Sequence, residues 1–289
     1  MEQYFLETDQ CQLKVYSINP AQSHTAILFL HGGPGSGAMA LMGLPAFQLL
    51  SQNFHCLYFD QRGCGDSTYD LKKGLSIEQI TSDVLHVIQD SLQRFHIQKF
   101  YLWGGSFGGY LACLCLEKFH NELSGIILSS PAITFHRQQA LSFYQAMQSQ
   151  YNQRLGENHF LQSISLSPED FFKQDDVREF IFSVNNPSHS LQHICAMSDW
   201  FFQHHFHNFF THLSLPLLIM QGQDDPICQY QYIDNEVSHL KNREYHLYKN
   251  CGHEIFCDCK EDFVKTITEF IRRNVYAYKR NRTLQLIYQ

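Results

Sequence analysis

The stretch Phe100-Tyr101-Leu102-Trp103-Gly104-Gly105-Ser106-Phe107-Gly108-Gly109-Tyr110-Leu111-Ala112-Cys113-Leu114-Cys115-Leu116 decides how this chain is read. The apolar run Phe100 to Trp103 predicts a strand, the run from Tyr110 predicts a helix, and glycines flank a serine where the two meet. A strand that turns this abruptly into a helix holds the serine hydroxyl at the tip of an elbow and aims the positive end of the helix dipole at it. Ser106 is therefore a candidate nucleophile. Gly-x-Ser-x-Gly also arises in ordinary glycine-rich turns, so the pentapeptide needs partners elsewhere in the chain.

A serine hydroxyl is a poor nucleophile at neutral pH and requires a general base, which in turn requires an orienting carboxylate. Two later segments offer them. Gly222-Gln223-Asp224-Asp225 follows the apolar run Pro216-Leu217-Leu218-Ile219-Met220, and Gly252-His253-Glu254 follows Glu244-Tyr245-His246-Leu247-Tyr248. Each falls just past a predicted strand, where parallel sheets gather their sites. Asp225 is preferred as the acid because Gly-x-x-Asp is the spacing usual for this arrangement, and Asp224 then reads as a solvated turn residue. The chain order Ser106, Asp225, His253 is the one expected of an α/β-hydrolase.

A fourth component precedes them. His31-Gly32-Gly33-Pro34-Gly35 follows the predicted strand Ala26-Ile27-Leu28-Phe29-Leu30, and its glycines let backbone N–H groups approach a substrate oxygen closely. Gly33 and Phe107 are the expected donors of an oxyanion hole. A rival reading exists here: Gly35-Ser36-Gly37-Ala38-Met39-Ala40 fits Gly-x-Gly-x-x-Ala and Asp60 lies downstream at a strand end, which imitates a dinucleotide-binding oxidoreductase. The motif starts several residues after its strand rather than in the tight turn, and that reading leaves Ser106, Asp225 and His253 without a role.

The remaining pattern is alternating. Gln3 to Glu7 and Gln12 to Tyr16 suggest an opening hairpin, Phe54 to Phe59 another strand, and Ala38 to Ser51 a helix between strands. Ser76 and Gln79 fit a capping box ahead of Ile77, Ile80, Val84, Ile88 and Leu92, which recur at helical spacing. A further strand is expected at Gly125 to Leu128, helices at Tyr230 to Leu240 and Lys260 to Arg272, the last with Phe263, Ile267, Phe270 and Ile271 on one face. Strands alternating with helices predict a mostly parallel sheet covered on both faces. Residues 132–212 read as helical throughout, with candidates at Gln138 to Leu155 and Ser190 to Phe210 and a helix start at Ser167-Pro168-Glu169-Asp170. The organisation expected is a core from 1–131 and 213–289 with an inserted helical lid at 132–212.

Composition narrows the rest. With 289 residues, 44% hydrophobic, 17% charged and a formal net charge of −7, the chain suits one large domain and carries no footprint for nucleic acid. The basic cluster Lys279-Arg280-Asn281-Arg282 reads as a solvated end. The start, Met1-Glu2-Gln3-Tyr4-Phe5-Leu6-Glu7, does not resemble a signal peptide, and no run suffices to span a membrane, so a cytoplasmic protein acting on small molecules is expected. Ten cysteines in that setting are expected to be thiols. Cys251, Cys257 and Cys259 beside His253 and Asp258 lack the paired Cys-x-x-Cys spacing of a zinc site, and His204, His205 and His207 read as ordinary histidines in an aromatic stretch, so neither metal nor cofactor is expected. The oligomeric state is not legible.

The segments His31 to Gly35, Asp60-Gln61-Arg62-Gly63-Cys64-Gly65-Asp66-Ser67 and Gly104 to Gly109 together resemble the proline iminopeptidase family of α/β-hydrolases. The resemblance covers residues 26–131 well and 216–273 through the Asp and His motifs. It implies release of an N-terminal residue from a small peptide, with the free amine held by acids in or near the lid; Asp199, in Met197-Ser198-Asp199-Trp200-Phe201-Phe202, is the nearest match to that acid-plus-aromatic segment, with Trp200 beside it. The chain departs from the family at Pro226, where some members carry a second acid after the triad aspartate, and at Phe107, where tryptophan is common. Esterase, thioesterase or other acyl hydrolysis is the alternative, with the aromatic residues Phe201, Phe202, Phe206, Phe209 and Phe210 receiving an acyl group. An inactive binding protein on the same fold is a third reading, which the intact serine, aspartate and histidine disfavour.

Overall fold

Residues on alternate sides of each central strand enter two different cores, which is the signature of a sheet buried on both faces. Ala26, Leu28 and Leu30 join one core with Phe100, Leu102, Ile126, Leu128, Leu217 and Ile219. Ile27, Phe29, Tyr101, Trp103, Ile127, Leu218 and Met220 point into the other. The computed structural model of the chain describes residues 1–20, 23–119, 122–133, 168–183, 189–199, 213–238, 240 and 243–287.

The strands are β1 (Glu2–Thr8), β2 (Cys11–Ile18), β3 (Thr25–Leu30), β4 (His55–Phe59), β5 (Lys99–Gly105), β6 (Gly125–Ser129), β7 (Leu217–Gly222) and β8 (Arg243–Tyr248). They form one eight-stranded sheet in the order β1-β2-β4-β3-β5-β6-β7-β8. The hairpin β1–β2 and its junction with β4 are antiparallel, and all other pairings are parallel. Between strands run α1 (Met39–Met42), α2 (Pro45–Leu50), α3 (Ile77–Arg94) and α4 (Phe107–Phe119), and later α8 (Tyr230–Val237), α9 (Ile255–Asp258) and α10 (Lys260–Ile287). Helices α5 (Pro168–Lys173), α6 (Asp175–Ser183) and α7 (His189–Ala196) belong to the stretch expected as a lid.

Most elements lie where the sequence places them, with local differences. The helix expected over Ala38 to Ser51 is broken in two, because Pro45 has no N–H to give and holds Leu44 extended at φ −85°, ψ 139°. The capping box forms: Ser76 Oγ accepts from Gln79 N at 3.2 Å and Gln79 Oε1 from Ser76 N at 3.0 Å. Helix α10 buries Phe263, Ile267, Phe270 and Ile271 as expected, and continues well past Arg272. The helix expected from Ser190 starts at His189 and ends at Ala196, and that expected at Gln138 to Leu155 lies outside the described residues.

The segment Asp60 to Ser67 ties several elements together. Asp60 is buried and its carboxylate accepts from Ala38 N at 2.7 Å, Asp66 N at 3.0 Å and the Tyr16 hydroxyl at 3.1 Å. Arg62 forms a buried ion pair with Asp83 at 2.7 Å and donates to the Asp9 carbonyl at 2.7 Å. Both Asp60 oxygens are thus committed to the protein, which removes the ribose-binding role that the dinucleotide reading would give it. No helix among the described residues is long and apolar enough to cross a membrane.

Candidate active site

The elbow forms as its glycines predict. Ser106 adopts the left-handed region at φ 52°, which a non-glycine residue enters only when its surroundings impose it. Four main-chain hydrogen bonds do so: Ser106 N donates to Ser129 O at 3.1 Å, while Ser106 O accepts from Gly109 N at 2.9 Å, Tyr110 N at 3.3 Å and Ala132 N at 2.9 Å. The strand and the helix approach so closely that a Cβ at Gly104 would overlap the Gly108 carbonyl, and one at Gly108 would overlap the Leu30 carbonyl. Ser106 therefore sits where β5 meets α4, with the N-terminus of that helix directed at it.

The glycine loop after β3 reaches the same place. A Cβ on Gly32 would stand 3.2 Å from Ser106 Cβ, which places this backbone against the serine. Gly33 has φ 119° and precedes a cis Pro34. His31 secures the loop from below: it is fully buried, its Nδ1 donates to the Gly32 carbonyl at 3.1 Å and its Nε2 accepts from Gln61 N at 3.1 Å, while Gln61 Nε2 donates to the His31 carbonyl at 2.8 Å. Only the neutral imidazole protonated at Nδ1 satisfies both ring contacts. Burial pushes the His31 imidazole down to about 4, against smaller opposing pulls from the Gly32 carbonyl and the Asp60 charge.

Asp225 and His253 meet as the order of motifs predicts. His253 Nδ1 lies 2.8 Å from Asp225 Oδ2. Asp225 is buried, and its other oxygen accepts from Ile227 N at 2.8 Å and Cys228 N at 2.9 Å, with Gln221 Nε2 adding a bond to Oδ2 at 3.2 Å. A carboxylate held by two backbone amides and a side-chain amide is fixed in position. Asp224 is exposed and is tied by its backbone N–H to the Cys251 carbonyl at 3.0 Å, so of the two adjacent acids it is Asp225 that faces the histidine. Cys228 comes close to both partners, and burial raises its thiol well above the ordinary range.

The loop carrying His253 corrects one expectation. The ten cysteines read as thiols, yet Cys251 is joined to Cys259 in a disulfide, with Cα atoms 6.6 Å apart. The short helix α9 turns the chain back on itself, which brings the second cysteine within bonding reach of the first. Gly252 N donates to Asp258 Oδ2 at 2.7 Å across the same loop.

Ser106 and His253 line one cavity of about 400 Å³, together with Gly32, Gly33 and Phe107. Its remaining wall is largely apolar and includes Leu41, Leu44, Trp103, Ile227 and Phe256. Of the other sequence candidates, Asp199 is exposed and is not among the described residues lining this cavity, and Trp200 lies outside the described residues. Sequence reading missed Gln221, Glu254, Ser190 and Phe256. The Asp225-Pro226-Ile227-Cys228 turn did carry a signal, since an Asp before a proline commonly accepts from the amides two and three residues on.

Comparison with known proteins agrees with this architecture. Residues 25–258 match the model of the alpha/beta hydrolase fold family. The chain is 25% identical over 288 residues to the proline iminopeptidase of Thermoplasma volcanium, covering 90% of this chain and 93% of that protein. It is 27% identical over 265 residues to the lysophosphatidylserine lipase ABHD12 of Macaca fascicularis, covering 90% of this chain but 54% of that longer protein. The crystal structure of a proline iminopeptidase-related protein from Thermus thermophilus superposes with a TM-score of 0.69 at 22% identity, covering 96% of this chain and 99% of that one. With its sheet order, its strained serine elbow and a family match across most of its length, the chain belongs to the α/β-hydrolase family, as a serine hydrolase.

Proposed function

We propose that the protein is an aminopeptidase that releases the N-terminal residue of a small peptide, with Ser106, His253 and Asp225 as its catalytic triad. The observation that carries the triad is the 2.8 Å contact between His253 Nδ1 and Asp225 Oδ2 beside a cavity shared by His253 and Ser106. Held by Asp225 at Nδ1, His253 turns Nε2 to the serine and takes its proton as Oγ bonds to the substrate carbonyl carbon. The oxyanion formed receives the backbone N–H groups of Gly33 and Phe107. His253 then returns the proton to the departing amine as the peptide C–N bond breaks, leaving an acyl-enzyme that water hydrolyses by the same relay. Asp225 stabilises the imidazolium that forms.

The peptidase reading is supported by the motifs His31 to Gly35, Asp60 to Ser67 and Gly104 to Gly109, and by the archaeal proline iminopeptidase that the chain resembles across most of both lengths. Residues 132–212 would then form a lid over the cavity, and Ser190 of α7 does line its wall. A second reading, an esterase or other acyl hydrolase, is favoured by the apolar character of the wall and by the likeness to a lysophospholipid lipase.

Two measurements test these readings. A fluorophosphonate labels the protein and fails to label Ser106→Ala; labelling retained in the variant removes Ser106 as the nucleophile. On a panel of aminoacyl arylamides and short-chain aryl esters, free-amine substrates are preferred and N-acetylation abolishes their turnover. Equal turnover after acetylation favours the acyl hydrolase.

A further inference from the structure

Among the described residues that line the cavity, Glu254 is the single carboxylate, and neither lysine nor arginine stands with it. The surrounding wall is mostly hydrocarbon, supplied by Leu41, Leu44, Trp103, Phe107, Ile227 and Phe256. A cation entering such a space loses hydration that only a facing anion restores. We propose that Glu254 is the specificity-determining group that receives the α-ammonium of an apolar N-terminal residue, an inference that rests on the aminopeptidase reading above.

Glu254 and Asp199 are both exposed, but of the two only Glu254 belongs to the described wall of the cavity. The α-amino group of a substrate lies one carbon from the carbonyl attacked, so the acid that binds it must stand close to the triad. Glu254 is the residue next to His253, with Cα atoms about 3.8 Å apart as for any trans peptide. Its backbone is anchored, since the Glu254 carbonyl accepts from Cys257 N at 2.8 Å and Asp258 N at 3.1 Å. The disulfide between Cys251 and Cys259 closes the loop around it. The Glu254 side chain also bonds to the Cys257 thiol, whose protonated form is favoured first by burial and then by this carboxylate. The backbone that carries the acid is thus held at the rim of the cavity, while the apolar wall suits an uncharged first side chain.

The test compares leucyl-p-nitroanilide with its des-amino analogue, 4-methylpentanoyl-p-nitroanilide, in wild type, Glu254→Gln and Glu254→Asp. The wild type prefers the free amine, and Glu254→Gln lowers the ratio of kcat/KM for the amine over the des-amino substrate by roughly 10- to 100-fold, as for loss of a hydrogen bond to a charged group. The loss appears mainly in KM, and Glu254→Asp restores part of the ratio. A wild type that prefers the amine while Glu254→Gln keeps the same ratio overturns Glu254 and leaves the aminopeptidase reading standing. A wild type indifferent to the amine overturns both. Equal losses on the two substrates in Glu254→Gln assign the residue a structural role and also overturn the proposal.

Discussion

Ser106 directly follows β5, which is flanked by β3 and β6 inside the sheet, whereas His253 follows β8 at the sheet's last edge. Around the serine the chain is held by main-chain hydrogen bonds and by contacts so close that no side chain fits at Gly104 or Gly108. Around the histidine the chain is held by side chains and a covalent link: Asp225 on the ring, Asp258 on Gly252, and the Cys251–Cys259 disulfide. The proposed triad would thus draw on two kinds of rigidity. One resists any change of sequence; the other is assembled from parts that can be altered singly.

The most severe way to probe the assembled arm is at its acid. Asp225→Asn keeps the shape but loses the charge that fixes the tautomer of His253, and kcat is expected to fall about 10⁴-fold. Asp224→Asn, one residue away and exposed, is expected to stay within about twofold of wild type in the same steady-state assay. Equal losses in the two variants would undo the assignment of the acid.

Glycine substitutions set the two regions against each other directly. Gly108→Ala drives a methyl into the Leu30 and His31 carbonyls and is expected to cost about 3 kcal/mol of stability or abolish folding, seen as a lower urea midpoint. Gly252→Ala meets only Asp258 Oδ2 at 3.4 Å and is expected to cost about 0.5 kcal/mol. Similar losses at both positions would erase the contrast.

Cutting the covalent link sharpens it further. Cys259→Ser opens a small closed loop, and a chain-entropy argument gives a loss of about 2 to 3 kcal/mol, measured as a lower urea midpoint that reductant no longer affects.

A graded effect, of the same order as loss of the disulfide, comes from pH. The folded state holds His31 neutral with its pKa lowered to about 4, against 6.5 ordinarily. A depressed histidine contributes stability that is whole above the ordinary value and is lost as pH falls towards 4, because the unfolded chain takes up the proton first. The urea midpoint is therefore expected to drop between pH 6.5 and 4, and His31→Gln, which keeps a donor and an acceptor, to reduce that drop, with buried His55, also lowered to about 4, supplying the remainder.

Legibility in the sequence divided along the same line. The elbow, the order of the three site residues and the parallel strands could be read because each rests on a local signature: glycines at a turn, or a short apolar run after a loop. The break at Pro45 was written in the sequence too, since a proline has no N–H to give to a helix interior. What could not be read was contact between segments. The pairing of Cys251 with Cys259 depends on the path of α9, and the place of Glu254 on the cavity wall depends on which way an exposed loop faces. Gln221 looks like any strand residue until the fold carries Asp225 to it.

Strand order also governs when the site can first exist. The neighbours β3 and β5 are separated in the chain by β4 and α3, and β7 follows β6 only after the helices of residues 168–183 and 189–196. Each pairing therefore closes a long loop, a slow step in folding. A refolding chain would regain helical circular dichroism well before β7 and β8 dock and bring His253 to Ser106. Recovered turnover, rather than recovered secondary structure, would then mark completion of the sheet.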